Sequence, residues 1–486
     1  MKAFCRSIFL TVVLVLAACS DGDSFSDSPS RLLSFSVDSV KMDTVFSRVP
    51  TPTKSFWVYN RSGSGIRCSK ISLANGNQTG YRVNVDGIYL SPSAGFQAQN
   101  VEIRDKDSIR VFVELTAPEN GISSPQEHED DLVFTLESGV EQRVCLHAYT
   151  WDAEMIDNMV VSSDCELSGE TPTIIYGGIR IDEGATLTIS GGKTLYFHHG
   201  SGIDVHGRLV IEGTAEKNVV LRGDRTDNMF DYLPYDLVSG QWSGIVFHEN
   251  SYDNIITYAD IHSTYNGIVC DSADVSKIKL RLENSTIHNC QGAGLQARSC
   301  KLHVVNSQIT NTLGSCLDVS GGDVVIQHAT LAQFYPFDSE RGAALAFSNG
   351  KELPLKLRCY NSLITGYAED VVMGTQADDD ADFDYMFVSS IIRTPEVFLP
   401  EEKTEGRKDV ADTLHFQKVV FEDPADTLSL GEKHFVKVDI NTQHYDFQLS
   451  NASAAIDFGS PEYALPADRK GRKRDDKPDA GCFERQ

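Results

Sequence analysis

The stretch Asn284-Ser-Thr-Ile-His-Asn289 is followed by a near copy, Asn306-Ser-Gln-Ile-Thr-Asn311. Looser versions flank them: Tyr258-Ala-Asp-Ile-His-Ser263 upstream, and His328-Ala-Thr-Leu-Ala-Gln333 and Asn361-Ser-Leu-Ile-Thr-Gly366 downstream. Their starts are 26, 22, 22 and 33 residues apart. Repetition at this period marks a solenoid and outweighs local propensity as a clue. A second apolar run follows each phrase: Gly267-Ile-Val-Cys, Gly294-Leu-Gln-Ala, Cys316-Leu-Asp-Val and Ala343-Ala-Leu-Ala-Phe. A repeat of 22 residues with three short strands is one coil of a right-handed, single-stranded parallel β-helix, and the longer spacings are loop insertions. In such a coil one row of side chains must be apolar and face inward, while the other is free to be polar. Ile261, Ile287, Ile309, Leu331 and Ile364 are expected to stack in that inward row at about 4.8 Å, the strand spacing. Asn289 and Asn311 recur one coil apart, where asparagine tolerates left-handed backbone and is expected to bond up a ladder at the corner. Leucine-rich repeats share the period but need several leucines and a further asparagine per repeat, which these phrases lack.

Working outward, Gly184-Ala-Thr-Leu-Thr-Ile, Lys193-Thr-Leu-Tyr-Phe, Gly202-Ile-Asp-Val-His-Gly-Arg-Leu-Val-Ile-Glu-Gly-Thr and Val219-Val-Leu-Arg-Gly-Asp-Arg read as opening coils. The solenoid is expected over residues 151–460, with a charged insertion at about 396–435 before the last coils and a cap over 461–486. The basic run Arg469-Lys-Gly-Arg-Lys-Arg474 within that cap reads as a solvated loop beside Asp475, Asp476 and Asp479. Residues 34–150 have a different pattern. Lys54-Ser-Phe-Trp-Val-Tyr, Ile109-Arg-Val-Phe-Val-Glu-Leu and Val144-Cys-Leu-His-Ala-Tyr alternate around β-rich runs, and turn clusters such as Asn60-Arg-Ser-Gly-Ser-Gly separate them. About seven strands in that length suggest an antiparallel β-sandwich of immunoglobulin-like size. The fold class is therefore all-β, a sandwich followed by a β-helix.

The start of the chain bears on compartment. Lys2 and Arg6 precede an apolar run from Ile8 to Leu16, broken only by Thr11, and then Leu16-Ala17-Ala18-Cys19. The run is far short of the roughly 20 residues that span a bilayer, so residues 1–18 read as a signal peptide. The four-residue end is similar to the lipobox of bacterial lipoproteins, which implies a mature chain starting at a lipidated Cys19. Residues 19–33 then form a polar tether. Ser20, rather than Asp, follows the cysteine; in similar lipoproteins this goes with the outer membrane, and the acidic tether resembles surface-export signals. The chain of 486 residues carries 43 Lys and Arg against 69 Asp and Glu, a net charge of −26. Loss of the leader removes two positive charges and leaves −28. Such a surface repels phosphate backbones, which argues against nucleic-acid partners. Beyond Cys5 and Cys19 there are nine cysteines and no Cys-x-x-Cys; buried free thiols are the default for that pattern.

Around the coils, the "GT…V.F.G.R" and "G.W.GI.F" segments, here Gly213-Thr214 onward and Gly240-Gln-Trp-Ser-Gly-Ile-Val-Phe247, resemble a recurring family of envelope lipoproteins with right-handed parallel β-helix repeats. Pro478-Asp-Ala-Gly-Cys-Phe-Glu484 resembles that family's closing "PDIGAYE" with three letters changed. The resemblance implies fold and envelope location, not chemistry. Parallel β-helices often handle polysaccharides, with Asp clusters across one sheet in inverting hydrolases and carboxylate-held Ca²⁺ in pectate-lyase-like enzymes. Here Asp260, Asp271, Asp274, Asp318 and Asp323 do not repeat in one column, so no catalytic carboxylate set is recognisable. His262 and His288 each follow the inward Ile and are expected to point outward as an exposed ladder, able to bind a metal or exchange protons. Thr310, Ala332 and Thr365 take that place in later coils and add no third ligand. Asp378, Asp379, Asp380 and Asp382 form an oxygen-rich run that could hold Ca²⁺, although the glycine and closing glutamate of an EF-hand loop are missing. Tyr232 and Tyr235, in a loop leaving the solenoid, are candidates to stack on sugar rings, whereas Trp242 reads as packing. No other cofactor is indicated. The favoured expectation is a membrane-anchored, non-catalytic surface protein offering a β-helix face to glycan or protein partners. The alternative is a β-helical polysaccharide lyase or glycoside hydrolase.

Overall fold

A computed structural model of the protein describes residues 24–230, 232–399, 410–423 and 431–485. The leader and Cys19 lie outside the described residues. The chain divides into two compact units, Met1–Asp152 and Ala153–Gln486.

The described residues of the first unit hold ten strands in two five-stranded sheets. One sheet runs Leu33–Phe35, Lys54–Asn60, Ser108–Leu115, Tyr81–Val85, Ile88–Tyr89; the other runs Ser39–Phe46, Glu141–Trp151, Gln126–Leu136, Ile66–Leu73, Gln97–Ile103. Alternation sets the buried face: Ile109, Val111, Val113 and Leu115 of one strand point into a core shared with Phe134 and Leu146 of the other sheet. Every neighbouring pair is antiparallel except Ser39–Phe46 beside Glu141–Trp151, which run parallel.

The second unit is a right-handed parallel β-helix in which 26 strands among the described residues form three continuous sheets, here A, B and C, visited in that order by each coil. Sheet B contains Val219–Gly223, Ala259–His262, Thr286–Cys290, Gln308–Thr312, Thr330–Gln333 and Leu363–Gly366 in parallel register. Ile261, Ile287, Ile309, Leu331 and Ile364 are paired one on the next and have no exposed surface, as the alternation requires. Burying each such side chain is worth roughly 1.5–3 kcal/mol, and the column accumulates that along the solenoid. Leu221 extends it in one direction and Ile392 and Phe421 in the other.

Corners explain the repeated phrase. Tyr258, Asn284, Asn306, His328 and Asn361 all take positive φ between 49° and 53°, turning the chain from sheet A into sheet B with a single left-handed residue. Asn289 and Asn311 also take positive φ. The asparagine ladder, however, forms at the other corner, where Asn306 Nδ2 donates to Asn284 Oδ1 at 2.9 Å; among the described residues Asn311 Oδ1 has no partner. The residue after the corner supplies a second, buried ladder. Ser285, Ser307, Ser362 and Ser390 have no exposed surface, and each Oγ accepts a backbone N–H from the neighbouring coil at 3.0–3.1 Å. Burial obliges every such polar group to find a partner.

Two insertions leave the solenoid where sheet B turns into sheet C: residues 224–244 and 334–344. Within the charged stretch, Phe416–Gln417 and Val420–Phe421 continue sheets A and B as further rungs. The antiparallel hairpin Phe435–Asp439 with His444–Leu449 follows. Residues 400–409 and 424–430 lie outside the described ones. The closing segment then runs back along the outer side of sheet B: Cys482 N–H donates to Thr330 Oγ1 at 3.1 Å, and Ala480, Cys482 and Phe483 pack with Ala332, Leu363 and Ile391. The basic run is therefore not wholly solvated. Arg474 is buried, with Nη1 on Glu484 at 2.8 Å and Nη2 on Asn306 Oδ1 at 2.8 Å.

Candidate functional site

Insertion 224–244 places the candidate contact residues. It departs from Val219–Gly223 and returns through Trp242, which is buried, stacks on Phe197 at 4.2 Å and donates its indole N–H to the His262 carbonyl at 2.8 Å. Gly240 and Gly244 are needed there: both have positive φ, and a Cβ on Gly244 would collide with the Asn266 carbonyl. This accounts for the two glycines flanking Trp242. Asn228–Phe230 pairs antiparallel with Leu233–Pro234 in a small hairpin. Arg225 braces its base, bonding Asp227 through two nitrogens at 2.6 Å and lying 3.8 Å over the Tyr235 ring. At the tip, Phe230 is 55% and Tyr232 63% exposed, and their rings are parallel within 10° at 5.8 Å between centroids.

The hairpin is followed by a single turn, Tyr235–Leu237, that lays Asp236 over sheet B. Here the structure corrects the expectation of an exposed histidine ladder. His262 and His288 do leave the outer side of successive strands and stack, 4.6 Å between centroids and 20° between planes. But the turn covers His262, leaving 7% of its side chain accessible. His262 Nε2 meets Asp236 Oδ1 at 2.8 Å, and its Nδ1 meets Asp260 Oδ1 at 3.0 Å. The same Asp260 oxygen lies 3.0 Å from His288 Nε2. Arg222 Nη1 binds the other side of the cluster, 2.6 Å from Asp236 Oδ1. Burial alone would raise the Asp236 pKa, but the hydrogen bond and charge of His262, followed by the charge of Arg222, outweigh it and hold the group at about 2. Asp260 is likewise held well below the usual carboxylate range: burial opposes ionisation, and the charges of His288 and His262 overcome it. Burial would discharge His262, yet Asp260 and Asp236 raise it to about 9.

At neutral pH both carboxylates are thus ionised, and His262 is an imidazolium with both N–H groups donated. Neither carboxyl carries a proton to give a leaving group, and the imidazole has no free lone pair to act as a base. The arrangement works as an ion cage fastening the insertion to sheet B. One ligand atom from each of Asp260, His262 and His288 lies within 4.8 Å of the others, so this trio could hold a metal ion if the ion displaced the protons. Glu127, Glu129 and His147 converge similarly on the surface of the first unit.

Of the residues singled out in the sequence, Tyr232, Tyr235, His262 and His288 therefore belong to one assembly. Asp378, Asp379, Asp380 and Asp382 do not join it, nor are they among the groups whose ligand atoms converge. Their loop is organised by buried Asn349, which accepts from the Ala377 and Asp378 N–H groups and donates to the Asp378 and Ala381 carbonyls. Asp236 and Arg222 are not among the residues the sequence points to, and Asp260 enters there only as one of the scattered carboxylates. Asp260 was legible in principle, since two residues apart on a strand means the same side as His262. Asp236 sits in irregular chain with no periodicity to place it.

A family model described as "Right handed beta helix region" matches residues 155–331. No curated protein matches the sequence. Among solved structures the chain is similar to a pectate lyase, Pel9A, at 13% identity and a TM-score of 0.32, over 69% of this chain and 97% of that one.

Proposed function

We propose that this chain is a lipid-anchored outer-membrane protein that binds glycans without cleaving them, the hairpin Asn228–Pro234 being its contact element. One observation carries the reading: Phe230 and Tyr232 stand exposed, with their rings nearly parallel, on a braced hairpin. Exposed aromatic planes at fixed spacing are costly unless something covers them, and an apolar ring face suits the C–H face of a pyranose. The rigid base lowers the ordering cost of binding. The charge states of Asp236, Asp260 and His262 favour binding over the lyase or hydrolase alternative, because the two ionised carboxyls have no proton to give a leaving group and His262 has no lone pair free to take one. The lipobox-like end at Cys19 and the acidic tether support envelope anchoring.

Purified chain should bind one or more members of a panel of neutral polysaccharides. Replacing Phe230 and Tyr232 together by alanine should weaken that binding at least tenfold with an unchanged melting temperature. Unchanged binding in the double variant, or release of oligosaccharides from a bound polymer, would overturn the proposal.

A further inference from the structure

Two arginines face one depression on the outer side of sheet A, away from the hairpin. Arg208, on the strand Arg208–Glu212, and Arg281, on the strand Ile278–Glu283, line a cavity of about 380 Å³ whose apolar lining is Ile255 and Ile278, with Tyr252 beside them. Neither guanidinium has an ion-pair partner among the described residues. Arg208 gives its Nε–H to the Asp253 carbonyl at 2.9 Å, and Arg281 gives one Nη1–H to His303 Nδ1 at 3.2 Å. The remaining N–H groups of both forks make no hydrogen bond among the described residues. Asp253, the carboxylate in the lining, is exposed and meets Arg208 through its backbone, not its side chain. Two half-buried like charges sharing a cavity without a counter-ion are unusual in a chain with a net charge of −26, where acidic partners abound. The positive field also reaches His303: burial first, then Arg281 and Lys301, push its pKa below the ordinary value.

We propose that this cavity binds an oxyanion carried on a sugar ring, a carboxylate or a sulfate, with the ring against Ile255 and Tyr252. A planar guanidinium recognises both oxyanions through two parallel hydrogen bonds, and the apolar lining favours a ligand that is not a bare ion. The volume falls in the range of small-ligand sites.

The test is calorimetric titration of the purified chain with trigalacturonic acid, a sulfated disaccharide and maltotriose. Binding of either anionic probe, at least tenfold weaker in Arg281→Gln and in Arg208→Gln and weakened by sodium sulfate, supports the site, and the arm that binds names the oxyanion. Arg281→Lys should keep the charge yet lose several-fold affinity, and Lys356→Gln, exposed on the same sheet, should change nothing. The Phe230 and Tyr232 double variant should also leave it unchanged, separating this site from the hairpin. Failure of both anionic probes to bind, equal binding of maltotriose, or affinity indifferent to the arginines would overturn the proposal.

Discussion

At the residue scale, His262 shows how far a side chain can depart from its reference behaviour when both nitrogens meet carboxylates. Its pKa is raised from 6.5 to about 9. A group whose pKa rises on docking stabilises the docked state fully below the undocked value, and that contribution fades as pH climbs through the docked value. Asp236 works in the opposite sense, its pKa lowered from 3.8 to about 2, so its contribution is present above the first value and lost as pH falls through the second. The cage should therefore hold the insertion most firmly between about pH 4 and 6.5, and loosen toward pH 9 and below pH 3. Trypsin cleavage after Arg225, followed in the folded protein, should accelerate as pH rises from 6.5 to 9 beyond the enzyme's own pH dependence. His262→Gln should remove that dependence and leave cleavage fast throughout. A flat profile in the wild type would mean that the cage does not fasten the loop. The inward column was legible from the sequence because burial leaves aliphatic residues little freedom, and Ile261, Ile287 and Ile309 declare it by period alone. The cage was not legible, because Asp236 reaches His262 from 26 residues upstream, across an insertion with no repeat to fix its register.

Among the elements, the repeated corners and the returning tail depend on one another. Arg474 is buried between Glu484 and Asn306, and Asn306 is itself a corner residue whose amide bonds Asn284 and the Ala467 carbonyl. The closing segment is thus fixed laterally on the coils, and its apolar residues cover Ala332, Leu363 and Ile391, which point outward from sheet B. A basic run near a chain end reads as solvated because most such runs are; the burial of Arg474 follows from a tertiary partner that no local pattern announces. Breaking a buried ion pair from one side leaves a bare charge and typically costs about 3–5 kcal/mol. Arg474→Ala should destabilise the second unit by that order in denaturant unfolding. Arg474→Ala combined with Glu484→Gln should recover part of the loss, since no uncompensated carboxylate remains. Equal stability of the single variant and the wild type would show that the tail is not held by this pair.

For the whole molecule, the proposed attachment to a membrane has few possible sources. Among the described residues no helix is long and apolar enough to cross a bilayer. A net charge of −26 opposes adsorption to anionic lipid, since each basic residue near such a surface attracts by only about 1 kcal/mol and acidic ones outnumber them. Acyl chains differ in kind: each buried CH₂ contributes about 0.8 kcal/mol, and two or more chains anchor stably where one does not. If Cys19 carries them, as proposed, the anchor is concentrated in one atom of the chain, Cys19 Sγ, and no element of either unit shares it. Cys19→Ala should then shift the protein from the membrane pellet to the soluble fraction and abolish incorporation of labelled palmitate, with unfolding of both units unchanged. Retention of the variant in salt-washed membranes would transfer the anchoring role to the β-structure and remove the lipidated-cysteine proposal.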